Sequence, residues 1–136
     1  MKLLMFHVRE FWYKTYQKTL VDVATVEKED TITEAIVVFI HLEEVDEQRP
    51  EKLTGRAGEN IRWLLKKTDA HTVVLHSFAH LSESKSSPEF AQTFIEGLKN
   101  SLENRNIKTY VTPYGYFLEF RLHVLGESLA KVFKSF

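Results

Sequence analysis

Two short segments that lie far apart in the sequence hold most of the side chains suited to binding and chemistry. They are Phe78-Ala79-His80-Leu81-Ser82 and Thr112-Pro113-Tyr114-Gly115-Tyr116-Phe117-Leu118. Each follows an apolar run typical of a strand, so each is predicted to be a loop that leaves the end of a strand. Loops at strand ends build the binding sites of many α/β proteins. We therefore expect the two segments to form two walls of one pocket.

His80 is the side chain of the first segment that could move a proton, because an unperturbed imidazole titrates close to neutral pH. A role as a base also requires a tuned pKa, and a histidine that follows a strand is often a hydrogen-bonding residue of the fold instead. The sequence leaves both interpretations open. His76 lies nearby, but the two histidines are expected on a strand and its exit loop rather than on one helical face. Their spacing therefore does not favour a metal site.

The composition restricts the class of protein and the chemistry available to it. With 136 residues and 43% hydrophobic content, the chain is expected to form one compact domain over residues 1–136. The absence of cysteine excludes a thiolate nucleophile, a cysteine-ligated zinc site and disulfides, and fits a reducing compartment. A net charge of −1 gives no general attraction to phosphate, so a nucleic acid would have to be bound locally. No apolar run approaches the roughly 18 residues that span a bilayer, and we expect a soluble, cytoplasmic protein.

Charged side chains are unevenly distributed along the chain. Lysine and arginine outnumber the acids in the last third, whereas acidic residues crowd one predicted loop. The acidic residues of that loop are Glu43, Glu44, Asp46, Glu47 and Glu51. Runs of charge are most often solvated surface, and we interpret both regions in this way.

The apolar pattern predicts alternating strands and helices. Strands are predicted over residues 3–8, 16–26, 35–40, 72–75, 108–112 and 116–124. The last two are expected to pair with each other about Pro113 and Gly115, and the β-branched run 35–40 to be buried on both faces. Helices are predicted after Pro50, after Ser87 and Pro88, and after Gly126. The pattern therefore predicts one α/β domain with two main helices and a C-terminal helix.

An aromatic cluster near the N-terminus allows two interpretations. Its members are Phe11, Trp12, Tyr13 and Tyr16. Aromatic side chains of this kind can stack on nucleotide bases. More often they pack on the core or form a dimer surface. The sequence does not decide between these interpretations.

Four groups of residues, in order along nearly the whole chain, together point to one known family. They are Leu3-Leu4-x-x-His7, Val38-Phe39-Ile40 with the acidic segment that follows it to Glu51, Phe78-Ala79-His80-Leu81-Ser82, and Pro113-Tyr114-Gly115-Tyr116. In these residues the chain resembles the archaeal N-terminal editing domain of threonyl-tRNA synthetase. The resemblance implies a mixed, barrel-like sheet similar to that of D-aminoacyl-tRNA deacylases, and a homodimer.

The activity implied by the resemblance is hydrolysis of the ester that links serine wrongly to threonine tRNA, and the fold relationship suggests some activity against D-aminoacyl esters. A synthetic site that accepts threonine cannot reject serine strongly, because one missing methyl group is worth only about 1–3 kcal/mol. A second pocket can instead admit the smaller side chain and exclude the larger. In this family the ribose 2′-hydroxyl of the substrate is thought to help position the water, and no cofactor is implied. The implied partners are the aminoacylated 3′ end of threonine tRNA and a synthetase catalytic module, in the same chain or in a separate one.

The resemblance also implies where the amino acid binds. Main-chain groups are expected to do much of the binding, which would explain why no familiar catalytic triad is visible in the sequence. The amino acid is expected between the two segments. The residues expected around it are Phe39 and Ile40 at the base, Phe78, Ala79 and His80 on one side, and Pro113 and Tyr114 on the other.

Two positions depart from the pattern of the family. Where relatives continue the second loop with Tyr-Tyr-Lys, this chain has Tyr116-Phe117-Leu118, and Lys131 occupies the position of a glutamate on the last helix. Phe117 and Leu118 are therefore expected to line the substrate pocket. Either the domain is a silent appendage that dimerises or steers tRNA, or the ammonium of Lys131 reaches the vacated space and acts with His80. We favour the second interpretation because the rest of the pocket motif is retained.

Overall fold

A curled sheet of six strands, with two α-helices on one face, forms the core of the computed structural model, which describes all residues from Met1 to Phe136. The strands are β1 (Lys2–Lys18), β2 (Glu29–His41), β3 (Thr72–Ser77), β4 (Lys108–Val111), β5 (Tyr116–Val124) and β6 (Lys131–Ser135). The helices are α1 (Pro50–Thr68) and α2 (Pro88–Glu103), and short 3-10 turns occupy Glu44–Gln48 and Ser128–Ala130. Neither α1 nor α2 combines the length and the apolar composition of a membrane-spanning helix.

The sheet is mixed, with the strand order β4-β3-β2-β1-β5 and β6 paired with the start of β1. β2, β3 and β4 are parallel to one another, whereas β1 runs antiparallel to β2, β5 and β6. β1 pairs with β6 through residues 2–6 and with β5 through residues 8–18, and the register shifts between Val8 and Glu10. Such shifts bend a strand. The predicted mixed, barrel-like fold with two main helices is confirmed in the form of a curled half-barrel.

The strand β2 contributes side chains to both faces of the sheet. Ile36, Val38 and Ile40 pack with α1 and α2 in the larger apolar cluster. Val37 and Phe39 alternate with them and join a second cluster on the opposite face, as the two-residue period of a strand requires. No residue from 35 to 40 is more than 4% exposed. The prediction that this run is buried on both faces is confirmed.

The helix predicted after Gly126 is wrong, because residues 131–135 form the strand β6. The pattern of Val132, Phe133 and Phe136 fits either period, as short apolar runs often do. The tertiary structure decides between them, since β6 pairs with the otherwise open edge of β1 from Phe6–Lys131 to Lys2–Ser135. This pairing satisfies backbone groups that a short isolated helix would leave exposed.

Two further predictions about strands are wrong. β4 and β5 do not pair with each other, because they lie at opposite edges of the sheet. The strand predicted from residue 16 is instead the continuation of β1, which ends at Lys18. This continuity places Phe11 and Tyr13 in the second apolar cluster, at most 2% exposed. Of the two interpretations of the aromatic cluster, packing on the core is therefore the correct one for these two residues.

Candidate functional site

The parallel strands β2, β3 and β4 end at one edge of the sheet, and a cavity of about 410 Å³ lies there. The segment that follows β3 forms one wall, and the segment that follows β4 forms another. The predicted site residues that line the cavity are Ile40, Phe78, Ala79, His80, Pro113, Tyr114, Phe117 and Leu118. The two segments thus meet at the edge of the sheet where α/β proteins commonly bind ligands.

The wall formed by Thr112–Gly115 exists because this segment crosses from one edge of the sheet to the other. It starts where Thr112 N donates to Leu75 O at 3.1 Å, and it ends where Gly115 O accepts from Thr19 N at 2.7 Å. Gly115 has φ +82°, a conformation that other residues adopt only at a cost. On the way, the Tyr114 hydroxyl donates to Pro88 O at 2.6 Å and ties the wall to the start of α2.

The side chain of His41 holds the main chain of the other wall, the segment after β3, through two hydrogen bonds. Its Nδ1 accepts from Leu81 N at 2.9 Å, and its Nε2 contacts Ser84 O at 2.7 Å. A carbonyl oxygen only accepts, so the proton of the neutral ring sits on Nε2 and leaves Nδ1 free to accept. His41 is 1% exposed. The ring therefore fixes the main chain of the segment 78–87 at two points.

Glu43 and Asp46 fasten the same wall to the N-terminus of the chain. Glu43 accepts from Ser82 Oγ at 2.7 Å and from the Met1 amino group at 2.8 Å, and the amino group also lies 2.8 Å from a fully buried Asp46 oxygen. Burial alone would raise the pKa of Glu43, but hydrogen bonds from the amino group, Ser82 and Lys2 outweigh it and lower the pKa to about 2. The interpretation of the acidic loop as solvated surface is therefore wrong for these two residues.

Comparison with known proteins assigns the chain to a family. The family described as the archaea-specific editing domain of threonyl-tRNA synthetase matches residues 1–136. The chain belongs to this family. It is 32% identical over 134 residues to the threonine–tRNA ligase of Methanosphaera stadtmanae, and 28% identical over 135 residues to that of Thermococcus sibiricus. Each alignment covers 97% of the chain and 22% of the ligase, so the chain spans about a fifth of the length of these relatives.

The fold also has a counterpart among solved structures. The c-Myc DNA Unwinding Element Binding Protein matches 99% of this chain, and 98% of its own, with a TM-score of 0.65 at 11% identity. At that identity the likeness concerns the fold alone. The expected D-aminoacyl-tRNA deacylase-like fold is confirmed, and the chain is an editing domain consistent with proofreading by threonyl-tRNA synthetase.

His80 lies at the exposed rim of the cavity of this editing domain. Its ring meets the ring of Phe78 edge to face at 4.9 Å between centroids. Unlike His41 and His76, His80 makes no side-chain hydrogen bond within the chain. The structure therefore shows no hydrogen bond through which the side chain of His80 would stabilise the fold. Its role toward a substrate stays a prediction.

Lys131 and Phe39 do not line the cavity. Lys131 is on β6 rather than on a helix, and its ammonium donates to Leu125 O at 2.9 Å. The structure therefore does not bring Lys131 together with His80 in one chain, and the expectation of an ammonium reaching in from a last helix is corrected. Phe39 lies beneath the wall, because its ring packs at 4.9 Å on the rings of both Phe78 and His76.

His76 and Lys85 are among the cavity residues that the sequence analysis did not assign to the site, whereas Thr112 begins the segment that was predicted as a wall. Lys85 is the one lysine, arginine or carboxylate residue in the cavity wall. His76 is 6% exposed, and its Nδ1 lies 2.9 Å from Thr112 Oγ1. Burial lowers the pKa of His76 to about 4. The sequence did contain a signal for His76. This residue lies two residues after Val74, and so on the same face of β3, at the end of the strand that leads into the predicted loop.

Apart from Lys85 and His80, which are exposed, the cavity wall offers neutral hydrogen-bonding groups and no activated nucleophile. Thr112 Oγ1 is the wall hydroxyl paired with an imidazole, but a ring with a pKa of about 4 is a weak base at neutral pH. No group of three or more histidine or acidic side chains is arranged to hold a metal ion. Chemistry here would depend on a water molecule oriented by the walls and by the substrate itself.

Proposed function

We propose that the cavity binds the aminoacylated 3′ end of threonine tRNA and hydrolyses the ester when the amino acid is serine. The observation that carries this proposal is the single cavity of about 410 Å³ formed by both segments, in a chain that belongs to the editing-domain family. A volume of that size accommodates an amino acid together with part of a nucleoside.

Hydrolysis of an activated ester requires an oriented water, a proton acceptor and donors aimed at the developing oxyanion. The N–H of Ala79 is the proposed main-chain donor near the amino acid, because the N–H of Phe78 donates to Ile40 O at 2.9 Å and Pro113 has none. The carbonyl oxygens of Phe78, Ala79 and Pro113 are the proposed acceptors. The 2′-hydroxyl of the terminal ribose is proposed to orient the water. His80, which lies at the rim, is proposed to act on the ribose side of the substrate. Lys85 supplies a positive charge for the phosphate of the terminal nucleotide.

Selection by size accounts for the proposed specificity. Serine and threonine differ by one methyl group, which an accepting pocket converts into only about 1–3 kcal/mol. A rigid wall selects in the opposite direction: it penalises the extra methyl group of threonine, because overpacking a well-packed site costs about 1–3 kcal/mol and occasionally more. The walls are held by His41, Glu43 and Tyr114, so a clash is not easily relieved by movement of the main chain.

The test is a deacylation assay with purified chain and three substrates: seryl, threonyl and D-aminoacyl esters of threonine tRNA. We expect release of serine, retention of threonine, and weaker release of the D-amino acid. Spontaneous hydrolysis in buffer is the control. Release of serine and threonine at equal rates would contradict the proposal.

A second candidate function is a catalytically silent appendage that binds tRNA or dimerises. Leu118 is the observation that favours it, because an apolar side chain lines the cavity at the position of the family's lysine. In that case the same assay releases neither amino acid, although the chain still binds tRNA in a filter-binding experiment.

The proposed assembly is a homodimer that works with a synthetase catalytic module in the same chain or in a separate one. Exposed aromatic side chains support a second copy as partner, since Phe133 on β6 is 53% exposed. Sedimentation equilibrium tests this: we expect twice the monomer mass for the chain, and a shift toward monomer for Phe133→Ser. A monomer at all concentrations would rule out the dimer.

A further inference from the structure

The buried surface of the cavity contains one imidazole with an uncommitted nitrogen. The buried lining residues are Ile40, Leu42, His76 and Thr112. Of these, only His76 and Thr112 have polar side chains, and they are hydrogen-bonded to each other through His76 Nδ1 and Thr112 Oγ1. His76 Nε2 makes no hydrogen bond within the chain. The one fully buried side-chain nitrogen without a partner is Arg49 Nε, so His76 Nε2 is not sealed off and opens to the cavity.

Most other polar groups of the walls are either occupied or exposed, and Ser77, whose hydroxyl makes no hydrogen bond within the chain, is only half-buried. Ser87 Oγ accepts from Phe90 N, and the Tyr114 hydroxyl donates to Pro88 O. Thr19, His80 and Lys85 are exposed to solvent, where water competes for their hydrogen bonds. A hydrogen bond made where water is excluded discriminates more strongly between ligands. His76 is therefore the group in the walls best placed to recognise a polar atom at the buried end of a ligand.

The surroundings of the ring keep it neutral and fixed in direction. Three phenylalanine rings enclose it, with centroids 4.9 Å away for Phe39, 6.1 Å for Phe78 and 5.9 Å for Phe120. This burial lowers the pKa of His76 to about 4. In a neutral ring paired through Nδ1, Nε2 either donates or accepts according to which way the Thr112 hydroxyl points. Such a group can bind a hydroxyl, which is itself both donor and acceptor.

We propose that His76 Nε2 is the hydrogen-bonding partner of the side-chain hydroxyl of the aminoacyl ester, and that Thr112 sets the direction of the ring. This inference rests on the proposed function, because it identifies the part of the substrate that the buried wall recognises. A ligand that places hydrogen in place of the hydroxyl leaves Nε2 unpaired in a desolvated site. The penalty for an unpaired buried group corresponds to a preference of about 5–150-fold for the hydroxylated ligand.

The probes that test the inference are two hydrolysis-resistant adenosines, one with seryl and one with alanyl in amide linkage at the 3′ position. Calorimetry gives the ratio of their dissociation constants for the wild-type chain, His76→Phe, Thr112→Val and Ser77→Ala. Ser77→Ala tests the rival partner, since the Ser77 hydroxyl also lines the cavity but alternates to the other face of the strand. We expect a seryl preference of about 5–150-fold for the wild type and Ser77→Ala, a ratio near one for His76→Phe, and an intermediate ratio for Thr112→Val.

A measurement on the wild-type chain keeps the inference testable if His76→Phe does not fold. With ¹⁵N-labelled histidine, the Nε2 resonance of His76 should shift when the seryl probe is added and stay in place with the alanyl probe. Equal affinity of the wild type for both probes, or a seryl preference that survives His76→Phe, overturns the role of His76 and leaves the proposed function standing. Binding of neither probe overturns the proposed function and this inference together.

Discussion

The buried contact between the Met1 amino group and Asp46 makes a sharp prediction for Asp46→Asn. Both partners are fully buried, with the amino nitrogen 2.8 Å from one carboxylate oxygen and 3.0 Å from the other. Removing one partner of a buried pair typically costs about 3–5 kcal/mol, because the other charge stays buried. The amino group keeps its contact with Glu43 at 2.8 Å, so we expect the lower end, about 3 kcal/mol.

Thermal unfolding converts this cost into a shift that is easily measured. A chain of 136 residues has an unfolding entropy near 0.3 kcal/mol/K, so we expect the melting temperature of Asp46→Asn to fall by about 10 °C. Glu44→Gln is the matched control, since this exposed acid lies in the same segment and forms no ion pair. Its effect on the free energy of unfolding should stay within about 0.5 kcal/mol. Equal melting temperatures for the two variants would refute the reasoning that the acidic loop is anchored by the buried amino group.

Four further predictions concern the walls and the missing lysine. Gly115→Ala should lower the free energy of unfolding in urea by about 1–2 kcal/mol because of the positive φ at this position. The loss should be larger still because the new Cβ would lie 2.8 Å from a Val23 methyl group. An unchanged urea midpoint would contradict this. The pKa of Glu43 is lowered to about 2 in the folded state, so its ionised carboxylate stabilises the fold above pH 4.5. This stabilisation is lost as the pH falls toward 2. Partial solvent exposure reduces this contribution to about 1–2 kcal/mol, and Glu43→Gln should remove that part of the pH dependence of urea unfolding. Lys131→Met should leave the rate of seryl-tRNA hydrolysis unchanged, since its ammonium is bound to Leu125 O; a tenfold loss would return Lys131 to the site. Leu118→Lys should raise that rate by at least about tenfold if an ammonium in the cavity stabilises the oxyanion, and no change would mean that the rest of the wall suffices.

Much of the fold followed from the sequence because local pattern and tertiary structure agree there. The apolar run 35–40 is buried on both faces, and Ser87 caps α2 by accepting from Phe90 N at 3.1 Å. The C-terminal strand escaped prediction because its pattern is too short to separate a period of two from one of 3.6. Its identity depends on the unpaired edge of β1, which lies more than a hundred residues away in the sequence and is invisible to local reasoning.

The sequence predicted the two loops of the site, but it did not predict the buried part of the cavity between them. The loops carry residue types, such as His80 and Pro113, that draw attention by themselves. The buried part of the cavity includes His76, which the sequence presents as an ordinary strand residue, and Thr112, whose segment was predicted as a wall but whose hydrogen bond to His76 was not. Only the register between β3 and β4, which ends at Leu75 and Val111, places the next residue of each strand side by side. Long-range register therefore decides which polar side chains share the cavity.

The wrong prediction of a β4–β5 pair explains why the cavity exists at all. A tight hairpin between adjacent strands would have folded Thr112–Gly115 back along the sheet edge and left the ends of β2 and β3 open. Because β5 pairs with β1 instead, the segment must span the ends of β3 and β2, and it closes over the hollow that they form. The stability of the β1–β5 pairing and the shape of the cavity are consequently linked. Substitutions at the far end of β5, such as those that weaken its pairing with Val8, should loosen the wall at Pro113 before they unfold the domain. Hydrogen exchange would detect this as early loss of protection at the amides of Thr112 and Thr19, which donate to Leu75 O and Gly115 O.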